Sequence, residues 1–151
     1  MTGVHSFFAA ALIAAGSIAL CVSSAPARCE AAPQKMTIRV NGRTLTATLA
    51  DNSSAAALVQ LLEAGSVTLP MHDYGSFEKV GPLPVNLPTN DEPLDTDAGD
   101  LILYQGRQFV LYYDRNSWTF TRLGRVEDIG KEELKTLLGP GSVTAVLSLA
   151  E

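Results

Sequence analysis

The sequence predicts a mainly β fold, a small barrel or sandwich of many short strands with two short helices. Three observations carry this. Apolar and polar residues alternate over several short runs, Asn41-Gly42 separates the first two runs, and only two stretches have helical spacing. At 151 residues the chain has room for one compact domain. A hydrophobic content of 46% against 18% charged residues excludes a disordered chain.

The folded domain is predicted to span 36–151. Met36-Thr37-Ile38-Arg39-Val40 and Arg43-Thr44-Leu45-Thr46-Ala47-Thr48-Leu49 both alternate, and the Asn41-Gly42 between them is a hairpin signal. A type I′ turn needs positive φ at both central positions, which Asn and Gly tolerate best. Asp51-Asn52-Ser53 offers caps for a short helix over Ala55–Leu62, which Gly65 is expected to stop with a left-handed residue. Val67-Thr68-Leu69 reads as a strand leading into a loop around His72-Asp73-Tyr74-Gly75.

Pro82, Pro84 and Pro88 make Gly81–Thr89 an edge or extended connector, because proline donates no ladder hydrogen bond. Asn90–Asp100 reads as an acidic loop. Leu101–Tyr104 and Phe109–Tyr113 form a hairpin across Gln105-Gly106-Arg107, and Trp118–Val126 is a further strand. Leu101–Tyr104 is apolar on both faces, as expected of a strand held between the interior and a covering helix. A second helix covers about Lys131–Leu138 and ends at Gly139-Pro140-Gly141, and the alternating run Ser142–Leu149 closes the domain.

The leading segment differs from the rest. Phe7–Val22 is a nearly continuous apolar run of about sixteen residues, short of the roughly 20 that span a bilayer. Ala25-Pro26-Ala27 follows it as a small-residue cleavage site. Residues 1–27 are therefore predicted to be a signal peptide, cut near Ala27 to Ala32, with 28–35 a flexible tail; the alternatives are a retained membrane anchor and a lipoprotein attached at Cys21, where Leu20 stands in place of the usual small residue. The mature protein is expected to be exported, periplasmic or extracellular, with no stable membrane insertion after cleavage. Cys21 would leave with the leader, so Cys29 is the one thiol that could remain and no intrachain disulfide is available.

Several motifs recur in a fixed order: Gly81-Pro82-Leu83-Pro84, Leu87-Pro88-Thr89, Ala98-Gly99-Asp100-Leu101-Ile102-Leu103-Tyr104, Val110-Leu111-Tyr112-Tyr113 and Thr121-Arg122-Leu123-Gly124-Arg125-Val126. The set resembles the small bacterial cyclophilin-like domain family. That resemblance implies a closed antiparallel β-barrel of about eight strands, capped by the two short helices. Gln108-Phe109-Val110-Leu111 is similar to the Gln-Phe-Phe-Ile strand of the true cyclophilins, with Trp118 following at a matching spacing. Those enzymes isomerise peptidyl-proline bonds with an arginine that donates to the prolyl nitrogen. In this chain no Arg lies between Arg43 and Arg107, the Phe-Met-Gln socket motif has no counterpart, and no histidine follows Trp118.

The remaining chemistry is sparse. A net charge of −5 argues against nucleic acid as a partner. Two cysteines and two histidines do not make a four-ligand zinc site. Asp95-Thr96-Asp97-Ala98-Gly99-Asp100 fails the spacing of a calcium loop, whose twelfth position would be Gly106. His72-Asp73 has no serine or cysteine placed for it to activate, and no glycine-rich phosphate loop is present. No metal, no cofactor and no catalytic residue are assigned. Aromatic residues and Arg107, Arg115, Arg122 and Arg125 interleave near the acidic Asp91–Asp100 segment, suggesting a mixed aromatic–guanidinium patch. The expected function is a peptide- or small-ligand-binding module using Phe109, Tyr113, Trp118, Phe120 and Arg122. The alternative is a weak peptidyl-prolyl cis-trans isomerase with Arg122 as donor.

Overall fold

The structure is a computed structural model, and it describes residues 32–151. The predicted leader with Cys21, and Cys29 of the predicted tail, lie outside the described residues. Pairing begins slightly earlier than 36, because Lys35 already lies in a strand and the Gln34 carbonyl accepts from the Leu49 N–H at 2.8 Å.

Strands β1 (Lys35–Val40) and β2 (Arg43–Leu49) form the predicted hairpin. Asn41 at φ 47° and Gly42 at φ 80° supply the two positive angles of its turn. Met36, Ile38 and Val40 alternate with solvent-facing residues and join Leu45, Ala47 and Leu49 in the core. Helix α1 (Ser53–Glu63) starts at Asn52, whose side-chain oxygen accepts from the Ala55 N–H at 2.8 Å. The same side chain donates to the Arg122 carbonyl at 2.8 Å, so the cap also fixes the helix to a distant strand. Gly65 leaves this helix at φ 148°, outside the left-handed basin expected for it, while its N–H bonds the Leu62 carbonyl.

The remaining strands are β3 (Val67–Tyr74), β4 (Glu78–Pro82), β5 (Glu92–Thr96), β6 (Asp100–Tyr104), β7 (Gln108–Tyr112), β8 (Asn116–Val126) and β9 (Val143–Leu149). Helix α2 (Lys131–Leu138) lies between the last two and ends at Gly139, φ 59°. Two predictions need correction. His72-Asp73-Tyr74 is not loop: β3 runs on through it because these residues pair with Val80, Lys79 and Glu78 of β4. Asn90–Asp100 is not all loop either, since Glu92–Thr96 pairs residue by residue with Phe120–Asn116.

Eight strands close a ring in the order β2-β1-β9-β3-β4-β7-β6-β8, with β8 returning to β2 through Ala47↔Val126, Thr48↔Arg125 and Leu49↔Gly124. Every pairing is antiparallel. Inside lies one continuous apolar core, to which α1 contributes Ala55, Leu58, Val59 and Leu62, and α2 contributes Leu134 and Leu138. Among the described residues no helix is long and apolar enough to cross a membrane.

The ninth strand, β5, pairs with the first half of β8 alone. Register explains where this ribbon goes. Both β7 and β8 run antiparallel to β6, so they run parallel to each other. Tyr112 ends β7 beside Gly99, where β6 starts, whereas Thr121 pairs with Leu103 near the far end of β6. Residues 113–120 must therefore carry the chain back along the length of β6 before β8 can join the barrel. Consecutive burial of Phe120 and Thr121 marks the break in alternation where the strand changes layer.

At the seam between β2 and β8, Gly124 has no space for a side chain. A Cβ there would collide with the Thr48 carbonyl and the Leu49 Cα, both of them backbone. Gly124→Ala is expected to force the seam apart and to cost at least about 2 kcal/mol, read as a lowered urea midpoint. A midpoint equal to that of the native protein would show that the barrel does not close there.

Candidate functional site

Strands β6 and β7 are buried on both faces. Leu101, Leu103, Phe109 and Leu111 point into the barrel, while Ile102, Val110 and Tyr112 point outward and pack with Phe120 in a second apolar cluster. Phe77, Val80 and Leu94 border that cluster. The outer layer over these strands is the β5–β8 ribbon, not the helix that the two-faced apolar pattern led one to expect.

The ribbon covers the outer face incompletely. A groove of about 470 Å³ remains between it and β4, β6 and β7. Val80, Val110, Tyr112 and Phe120 form its deeper apolar surface, with Phe77, Tyr74, Tyr104 and Trp118 around them. The Phe77 and Tyr112 rings lie parallel with centroids 6.1 Å apart, and the Tyr112 and Phe120 centroids are 5.9 Å apart. Among the described residues four large hydrophobic side chains are exposed, and three of them, Tyr74, Tyr104 and Trp118, line this one groove. Exposed aromatic surface concentrated in one concavity is the usual mark of a binding site.

Polar groups are few and specifically placed. Gln105, Gln108 and Asn116 contribute carboxamides, and Glu78 contributes the one acid. Glu78 is only 7% exposed. The Tyr112 hydroxyl lies beside its carboxylate and accepts from Asn116 Nδ2 at 3.2 Å. Burial pushes the Glu78 carboxyl above its ordinary pKa, and the nearby Tyr112 hydroxyl only partly opposes that. Tyr112 is itself raised well above the normal phenol value, first by burial and then by Glu78.

A separate polar cluster lies on the other side of β4. Lys79 is fully buried, its Nζ 2.7 Å from Asp73 Oδ1 and donating to the Gly139 carbonyl at 2.8 Å and the Gly141 carbonyl at 2.5 Å. Burial works to raise the Asp73 pKa, but bonds from Lys79, the Gly141 N–H and the Tyr113 hydroxyl outweigh it and hold the carboxyl below its usual value. Tyr113 is pushed up to about 12 by burial and by its bond to Asp73. These groups satisfy one another and tie the turn after α2 to the sheet, so the cluster is a structural clasp.

The residues singled out in the sequence separate accordingly. Trp118 and Phe120 line the groove. Phe109 is fully buried in the barrel interior, and Tyr113 belongs to the same core with its hydroxyl on Asp73. Arg122 donates to Asp100 Oδ1 at 2.8 Å, and Arg125 donates to that oxygen at 2.7 Å. Of the arginines interleaved with the aromatics, Arg115 pairs with Asp97, and Arg122 and Arg125 pair with Asp100. Two further carboxylates of the acidic segment are also engaged, Asp91 by the Thr121 hydroxyl and Asp95 by the Ser117 hydroxyl. Among the described residues no group of three His, Cys, Asp or Glu side chains converges as a metal site requires.

Glu78, Tyr74 and Gln108 were missed. A period-2 signal was present, since Glu78 and Lys79 are adjacent in a strand and must face opposite sides. Strand parity also places Phe109 and Tyr113 opposite Val110 and Tyr112.

The elevated Glu78 pKa has a definite sign in folding. The native state holds this proton more tightly than the unfolded chain, so Glu78's contribution is favourable below the unfolded value near 4.3 and is lost as pH rises through the folded value. Glu78→Gln is expected to flatten that part of the pH–stability curve and to match or exceed the native urea midpoint at pH 7. A variant that keeps the native pH slope would show that Glu78 is not the group responsible.

The model of the cyclophilin-like family matches residues 38–148. Among solved structures, the solution structure of a hypothetical protein from Archaeoglobus fulgidus superposes with a TM-score of 0.54 at 14% identity, covering 78% of this chain and 95% of its own. At that identity the likeness concerns the fold alone. A search of curated proteins finds no match. The family match spans nearly all of the barrel, from the first strand to the last, and on that ground the chain belongs to the cyclophilin-like family.

Proposed function

We propose that this protein is an exported binding module that holds a peptide segment or small ligand in the groove between the β5–β8 ribbon and the barrel wall. The exposed aromatic groove carries the reading. Tyr74 and Trp118, each 63% exposed, have apolar surface to bury and already flank a concavity large enough for one or two side chains. Burying an aromatic side chain is worth about 1.5–3 kcal/mol. Gln105, Gln108 and Asn116 can satisfy the polar main chain of an extended segment, which apolar walls alone could not do. Export rests on the apolar run Phe7–Val22 and the Ala25-Pro26-Ala27 site that follows it.

Binding is favoured over isomerisation by the position of the cations. Twisting a prolyl amide calls for a donor aimed at its nitrogen, and among the described residues the lining holds neither Arg nor Lys. Arg122, the donor considered for that task, is occupied by Asp100.

Trp118 is the only tryptophan, so its fluorescence reports the groove directly. Titration with short peptides carrying proline and aromatic residues is expected to give a saturable blue shift, and Trp118→Ala, followed by amide chemical shifts because it removes the fluorophore, is expected to weaken binding about tenfold. In the same samples, exchange NMR should show no faster cis–trans interconversion. Flat fluorescence together with unchanged amide spectra would contradict the binding reading, and catalysed interconversion would replace it with the isomerase.

A further inference from the structure

Three acidic or basic side chains are deeply buried among the described residues outside the clasp's partner Asp73: Glu78, Lys79 and Asp100. Lys79 has Asp73, and Asp100 has Arg122 and Arg125. Glu78 has no such countercharge among the described residues. The polar group beside it is the Tyr112 hydroxyl, which is neutral. A buried carboxylate without a cation is costly, so it holds its proton more tightly unless a cation from outside the chain completes it.

The surroundings say what that is. The groove carries a single acid, no basic side chain and six aromatic rings, of which Tyr74, Tyr104 and Trp118 are accessible from solvent. The π-face of an aromatic ring attracts a cation, most strongly where water is displaced. Resting on the groove reading above, we propose that the occupant enters through a cationic ammonium head, such as a lysine side chain or a quaternary amine, which pairs with Glu78 and lies against the ring faces. A cation there would reverse the upward push that burial exerts on the Glu78 carboxyl. The apolar remainder of the ligand would lie along Val80, Val110 and Phe120.

The test uses two probes of matched shape: choline, and its uncharged isostere in which a tert-butyl group replaces the trimethylammonium. Both are titrated into the protein and followed by Trp118 fluorescence and amide chemical shifts. Choline is expected to bind about tenfold more tightly. Glu78→Gln is expected to abolish the preference for choline over the isostere. Trp118→Leu, followed by amide chemical shifts alone, keeps apolar area at an exposed position but loses the indole face, and it is expected to reduce the preference independently of Glu78→Gln. Equal affinity for the two probes, or a preference that survives both substitutions, would overturn the proposal. If the isostere or the peptides bind and choline does not, the groove reading stands and the cation falls. If no probe binds, both are lost.

Discussion

A strand that is apolar on both faces has to be covered twice, and the β6–β7 hairpin imposes that demand on the whole molecule. Closing the barrel satisfies Leu101, Leu103, Phe109 and Leu111 but leaves Ile102, Val110 and Tyr112 facing outward. At about 1.5–3 kcal/mol for each large side chain removed from water, that outer row is comparable with the net stability of a small domain. The chain meets the demand by sending β8 back across β6 as a ribbon with β5 before it enters the ring. Phe120 then completes the outer cluster, and the ribbon stops short of covering the surface fully. The groove is the part of the second layer that the chain leaves open.

Electrostatics divides along the same two layers. On β4, adjacent residues point to opposite sides: Lys79 inward to the Asp73 clasp, Glu78 outward to the groove. The clasp and the Asp100 pair of guanidinium contacts are internally satisfied and so serve to hold loops to the barrel. Glu78 has only a neutral phenol beside it, in a setting that disfavours its charge. Similar residue types thus have different roles because their partners differ, and partners are set by strand parity.

Much of the fold was legible because turns and breakers announce themselves. Asn41-Gly42 marks a hairpin by the dihedrals it allows, and Gly139-Pro140-Gly141 ends α2 where expected. Strand β5 was hidden for a physical reason. Glu92-Pro93-Leu94-Asp95-Thr96 is acidic and contains proline, both disfavoured in a central strand, yet it is paired on one edge only and tolerates them there. The end of β3 was hidden because His72-Asp73-Tyr74 has no alternation of its own and is strand by virtue of β4 beside it. The site was only half legible. Trp118 and Phe120 could be picked out as aromatics near a hairpin, but Glu78 and Tyr112 become neighbours through a pairing of β4 with β7 that no local pattern encodes.

The central claim is that the first half of β8 lies over the outside of the barrel wall, making Phe120 a neighbour of Tyr112 and Val110. Nuclear Overhauser effects from the Phe120 ring test this most directly. The account predicts strong cross-peaks to the Tyr112 ring, whose centroid is 5.9 Å away, and to the Val110 methyls. Cross-peaks from Phe120 to Leu103 and Leu111 of the barrel interior, with none to Tyr112, would contradict it.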